Sequence, residues 1–256
     1  KALAVNISDM AAMGAVPRWA TLALSLPNED DAWLAGFSAG FFALADEYQV
    51  ELIGGDTTRG PLNLSVTIMG EVPQAKALRR DGAKTGDEVW VSGRVGDAAL
   101  ALAHMQGKII LGDASFAATA AALHRPQPRV ELGIALRGIA NSAIDVSDGL
   151  LADLGHILER SGVAAEIEFA ALPVSPSLRP YLVQPLGKRC MLAGGDDYEL
   201  CFTVPAARHA EVGRISAQLG LPLSCIGKIS AGKGCTLRAA DGSVMTIMET
   251  GYDHFA

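Results

Sequence analysis

The chain has 256 residues, half of them hydrophobic, and a formal net charge of −7. That suffices for one large domain or two small ones, and the negative charge argues against a nucleic-acid partner while leaving room for polyphosphates held through metal ions. The four cysteines form no C-x-x-C pair and no apolar run reaches the ~18 residues of a membrane span, so no zinc site, disulfide framework or membrane partner is indicated, and a reducing cytoplasm is the expected home.

The chain opens at Lys1, already inside a pattern that reads as a strand over 2–8, so native sequence is expected ahead of it. A short helical turn over 9–14 is stopped by Gly14 and Pro17, and a second strand covers 19–26. Asn28 is the expected cap of a helix over 29–49, with Asp30 and Asp31 in its first turn and a buried stripe of Leu34, Phe37, Phe41, Leu44 and Tyr48. A strand over 50–53 leads into an acidic turn, Gly54-Gly55-Asp56-Thr57-Thr58. Leu62, Leu64, Val66 and Ile68 then alternate with Asn63, Ser65, Thr67 and Met69, which marks a strand with one apolar face.

The stretch after Pro73 has no core-forming run and carries Lys76, Arg79, Arg80 and Lys84. It reads as a link over 73–86 between a domain at 1–72 and a second at 87–256. Arg79-Arg80 is either a solvated face or a reach toward nucleotide phosphates. Beyond the link come a strand at 88–92, a glycine-rich turn over 93–97 and a helix over 98–105. A helix near 130–138 follows the rigid connector 125–129. Strands are expected at 164–169, 200–204 and 223–227, a helix at 206–219, a loop with a short helix at 172–185, and hairpin turns at 232–234 and 241–242.

The chemistry concentrates in Ala143-Ile144-Asp145-Val146-Ser147-Asp148-Gly149. Apolar 144 and 146 alternate with polar 145 and 147, and Leu150, Leu151, Leu154, Ile157 and Leu158 follow at helical spacing. A strand thus runs into a helix, with two carboxylates and a hydroxyl at the junction, where oxygen ligands suit Mg²⁺ and the helix end suits phosphate. Ala4-Val5-Asn6-Ile7-Ser8-Asp9 is a near-copy, and Gly54 to Thr58 is a third acid turn. Each alone is readable as a helix cap, but three together favour a metal site over caps. No P-loop, no G-x-G-x-x-G after a strand and no H-R-D is present, so a nucleotide would be held by metals on these acids.

Taken in order, six pieces resemble the thiamine-monophosphate kinases of the aminoimidazole ribonucleotide synthetase superfamily: residues 6–15, 54–58, 78–83, 145–150, Gly194-Gly195-Asp196-Asp197-Tyr198-Glu199-Leu200, and Gly251-Tyr252-Asp253-His254-Phe255. The resemblance implies a two-domain α/β (α+β) fold whose first domain pairs with its copy in a homodimer. It implies transfer of the γ-phosphoryl of ATP to thiamine monophosphate, with several Mg²⁺ ions. Carried over by motif, Asp9, Asp56, Asp145 and Asp148 are metal ligands, and Gly55, Asp56, Arg80 and Ser147 nucleotide contacts. Glu199, Phe255 and Tyr252 are the substrate contacts so implied. Two departures stand out: the family carries a G-D-D segment ahead of the position of Lys1, and Asp196 stands where it usually has Glu. The rival readings are another ATP-dependent synthetase of the superfamily and a non-catalytic dimeric ligand-binding chain.

Overall fold

The computed structural model describes residues 1–246 and Gly251. Its first element is a helix, α1 (Ala2–Ala12), where alternation suggested a strand. Leu3, Ala4, Ile7, Ser8, Ala11 and Ala12 are its buried positions, which is the 3.6 period of one helix face. A segment of small aliphatic residues satisfies both periods locally, and packing chooses between them. The chain leaves α1 through Gly14, at φ +63°, whose N–H donates to the Ala11 carbonyl at 2.9 Å.

Strand β1 (Val16–Leu26) follows, then α2 (Asp31–Glu47), capped by Asp30 and not Asn28: its carboxylate accepts the Trp33 N–H at 3.0 Å. Strands β2 (Glu51–Arg59) and β3 (Asn63–Glu71) flank β1 in the order β2-β1-β3, parallel on the first side and antiparallel on the second. The expected turn at Gly54 to Thr58 is therefore the middle of β2. Gly55 is needed there for close approach, since a Cβ on it would lie 1.9 Å from the Leu22 carbonyl oxygen.

The larger sheet holds β4 (Asp87–Ser92), β5 (Ser142–Asp145), β6 (Ala164–Glu168), β7 (Leu200–Pro205), β8 (Leu223–Ser230), β9 (Gly234–Arg238) and β10 (Val244–Met245). Their order is β10-β9-β6-β8-β4-β7-β5, antiparallel except for β6 beside β9. β8 and β9 both pair with β6, so residues 232–234 do not close a hairpin, whereas 241–242 do, between β9 and β10. Helices α3 (Asp97–Met105), α4 (Asp113–His124), α5 (Val130–Ala135), α6 (Leu150–Ser161), α7 (Pro185–Ala193) and α8 (His209–Leu219) complete the chain. α4 and α7 have no expectation above. The first is a run of alanines without a stripe, and the second begins in a proline-spaced stretch.

Strand β4 is buried on both faces, with Val89 and Val91 among residues of α3, α6 and α7, and Trp90 on the other side. On Trp90's side lie Leu3, Ile7 and Ala11 of α1, Phe41 of α2 and Leu132 of α5. α1 thus joins the small sheet to the large one in one core. Gly133 permits this, because a Cβ there would meet the Ala11 carbonyl oxygen at 2.0 Å. Among the described residues no helix is long and apolar enough to cross a membrane.

Candidate active site

β5 delivers Asp145 at its last position, and the chain turns through Val146 to Gly149 into α6. The cap position of α6 is Gly149, at φ +127°, with no side-chain cap bond. A side chain has no room there, since a Cβ would lie 2.8 Å from the Ala193 carbonyl carbon. Capping comes instead from inside the helix. Asp153 Oδ2 accepts the N–H groups of Ser147, Asp148 and Gly149 at 3.0, 3.0 and 3.1 Å. Ser147 and Asp148 are therefore not the cap, and the ordinary explanation of an S-D pair ahead of a helix does not apply to them.

The near-copy at 4–9 is helix, not turn, so the echo is one of sequence and not of conformation. The two copies nevertheless meet. Ser8 Oγ donates to Asp145 Oδ2 at 2.8 Å, both buried. Burial, and secondarily the negative charge of Asp148, push the Asp145 carboxyl up, opposed by the Ser8 hydrogen bond and the Arg80 charge. Asp9, one residue past Ser8, is also pushed up, first by burial and then by Asp145, with Arg80 opposing. Asp153 is raised to about 7, chiefly by burial, with contributions from Asp148 and Asp145. Asp9, Asp145, Asp148, Ser147 and Arg80 are thus brought to one place.

The 194–199 loop lies against this turn. The N–H groups of Asp196 and Tyr198 donate to the carbonyls of Ser147 and Val146, both at 2.8 Å, and Val146 N–H donates to Glu199 O at 2.7 Å. Asp196 and Tyr198 hold φ values of +72° and +52°, unusual for side-chain-bearing residues. The Tyr198 hydroxyl donates to Asp196 Oδ1 at 3.1 Å. A cavity of about 800 Å³ opens here, lined by Ser147, Asp148, Asp196, Tyr198, Lys108 and Arg189 among others.

Some expected residues are placed differently. Glu199 does not face the cavity: it is 5% exposed, and its oxygens take Arg129 Nη2 at 2.5 Å, Arg129 Nε at 2.7 Å and Ser92 Oγ at 2.5 Å. A carboxylate so engaged is a structural ion pair, and Asp196 is the acid of that loop which reaches the cavity. Gly55 and Asp56 stand apart on β2, where Asp56 Oδ1 accepts the Thr57 N–H at 2.9 Å and lines a separate cavity of about 330 Å³. The glycine-rich turn 93–97 cradles a carboxylate of the chain itself: Gly96 N–H donates to Asp197 Oδ2 at 2.8 Å. Tyr252 and Phe255 lie outside the described residues. Asp153, Arg129 and Ser92 carried no expectation; only Asp153 left a signal, an acid within the apolar run 150–158.

Two sequence families match: AIR synthase related protein, N-terminal domain, over residues 1–72, and AIR synthase related protein, C-terminal domain, over 84–240. The thiamine-monophosphate kinase of Escherichia coli strain K12 is 49% identical over 257 aligned positions, covering all of this chain and 79% of that protein. The chain belongs to the thiamine-monophosphate kinases. A solved member from Stenotrophomonas maltophilia superposes with a TM-score of 0.88 at 51% identity, over 95% of this chain and 78% of that one. The structure of AaThiL complexed with AMPPCP and TMP superposes at 0.85 with 31% identity, over 99% of this chain and 78% of that one.

Proposed function

We propose that this chain transfers the terminal phosphoryl group of ATP to thiamine monophosphate, giving thiamine diphosphate, in the cytoplasm and as a homodimer. The observation that carries the reading is the gathering of Asp9, Asp145 and Asp148, with Arg80, at the start of α6. Left alone these acids would repel a nucleotide. Their hard oxygens, with Asp9 and Asp145 already disfavoured as anions by burial and neighbouring charge, fit Mg²⁺. Among the described residues no three acidic, His or Cys side chains form a metal cage by themselves, so phosphate oxygens and water would complete the coordination. When bound, Mg²⁺ supplies neutralising charge to the transferring phosphoryl group.

The protein's own part is positioning. Asp9, Asp145 and Asp148 would hold the metal, and Ser147 and Arg80 would meet phosphate oxygens. Gly55 and Asp56 join this set by motif alone. Asp196, at the cavity and paired with Lys1 Nζ at 2.8 Å, offers its carboxylate to the cationic thiazolium ring in place of the substrate contact implied for Glu199, while Tyr252 and Phe255 are kept as ring contacts on the strength of the motif. The acceptor is already an anion, so in-line transfer needs no strong base. The division at 73–86 separates the nucleotide-holding domain 1–72 from the domain 87–256. Pairing is supported by the small sheet, whose β2 and β3 are both open edges and whose Trp19 and Met69 are exposed.

The test is formation of thiamine diphosphate from ATP and thiamine monophosphate, with Asp148→Asn beside the parent. The amide keeps shape and loses charge, so turnover falls at least about ten-fold at unchanged melting temperature. A parent without product overturns the reading, and a folded variant with parental turnover removes Asp148 from the site.

A further inference from the structure

The geometry points to Asp153 as a positioning residue for phosphoryl transfer. It touches no reactant, yet it sets the backbone from which Ser147 and Asp148 project. Three consecutive N–H groups converge on one oxygen of one carboxylate, 3.0 to 3.1 Å away, and the side chain is 3% exposed. An acid on the buried face of an amphipathic helix is costly to keep, and a salt bridge does not explain it: its hydrogen bonds run to backbone.

The alternatives open to an ordinary turn are closed here. The cap residue must be glycine, because of its φ of +127° and the 2.8 Å approach of Ala193. The cap position is Gly149, which has no side chain to offer, and the N–H groups just ahead of the helix are held by Asp153. The turn is also clamped from the far side, where the Ser147 and Val146 carbonyls accept from Asp196 and Tyr198. With N–H groups anchored on one side and carbonyls on the other, the peptide planes of 146–149 have little freedom. The two side chains then face the cavity from a fixed backbone, which is what in-line positioning demands, since an ångström of misplacement is costly in rate.

The anchoring follows from the geometry alone, and its catalytic purpose rests on the kinase reading. Two measurements separate them. Amide hydrogen exchange on the parent should show Ser147, Asp148 and Gly149 protected like the interior of α6. Asp153→Ala should free them, lower kcat at least about ten-fold, raise the Mg²⁺ concentration for half-maximal rate, and leave the KM for thiamine monophosphate within about two-fold. Asp153→Asn keeps a neutral acceptor of the same shape and should recover most of both protection and rate. A purely structural role would move melting temperature without this split. The inference is overturned by free exchange of the three amides in the parent, or by a folded Asp153→Ala with kcat within about two-fold of parent. It is overturned equally by an Asparagine variant no better than the alanine one. Should the alanine variant not fold, the parent exchange and Asp153→Asn decide, with a rate below about one hundredth of parent counting against it. A parent without turnover overturns the kinase reading instead and leaves the exchange result to judge the anchor.

Discussion

Glu199 and Asp196 sit three positions apart in different surroundings, and Asp196, paired with Lys1 Nζ at 2.8 Å, lines the cavity. Buried Glu199 pairs with the half-buried Arg129, and Ser92 donates to the same carboxylate. Removing its charge leaves a half-buried Arg129 unpaired, which costs about 2–3 kcal/mol. Glu199→Gln should lower the melting temperature by on the order of 10 °C while the KM for thiamine monophosphate stays near parent, as thermal unfolding and steady-state kinetics will show. Asp196→Asn should do the reverse, raising that KM about ten-fold with little change in melting temperature. The cysteines are held toward the protonated thiol by burial as well. Burial raises the thiols of Cys190 and Cys235 to about 11 and that of Cys201 further, and it raises Cys225 as well. A thiol with a value of 11 is about 0.1% thiolate at pH 8, so iodoacetamide should label Cys190 and Cys235 at a useful rate only after denaturant is added. Rapid labelling of Cys190 in the native protein would mean the cavity wall opens.

At the scale of elements, β2 shows how a motif is misread when only its residues are known. Two glycines followed by an acid look like a turn, yet they are strand, and Gly55 is there because the Leu22 backbone passes too close for a side chain. Gly55→Ala should part β1 from β2 locally and cost about 1–3 kcal/mol, measured by denaturant unfolding, with a rise in the KM for ATP if Asp56 serves the nucleotide. α6 is the opposite case: its buried stripe of leucines and Ile157 was legible at once, and so was its start after Gly149. What the stripe did not show was that Asp153 belongs to the buried side. An acid amid leucines reads as an exposed position until the loop that covers it is known.

At the scale of the molecule, α1 couples the two sheets through the core it shares with α2, α5 and β7. On the apolar face of β3, Val66 and Ile68 pack inward against that core. The outer face and the two edges of the small sheet remain for pairing. Sedimentation at micromolar concentration should show a symmetric dimer, and a monomer would count against it. A charge placed on that face, Trp19→Glu, should weaken the dimer without unfolding the larger sheet.

The period of α6, the strands β1, β4 and β7 and the hairpin at 241–242 were all written in the sequence, because each depends on neighbours within one turn or one strand. The family followed from the same motifs in the same order. Tertiary structure alone decided that 2–12 is helix, since small aliphatic residues fit both periods and only the surface they pack on selects one. It decided which acid caps α6, which acid pairs with Arg129 and which faces the cavity. Asp153 reaches back only four to six positions, but the other choices depend on atoms that approach from 49 to 137 positions away, such as Asp196 on Ser147 and Ser8 on Asp145, and no local pattern carries the distance between them.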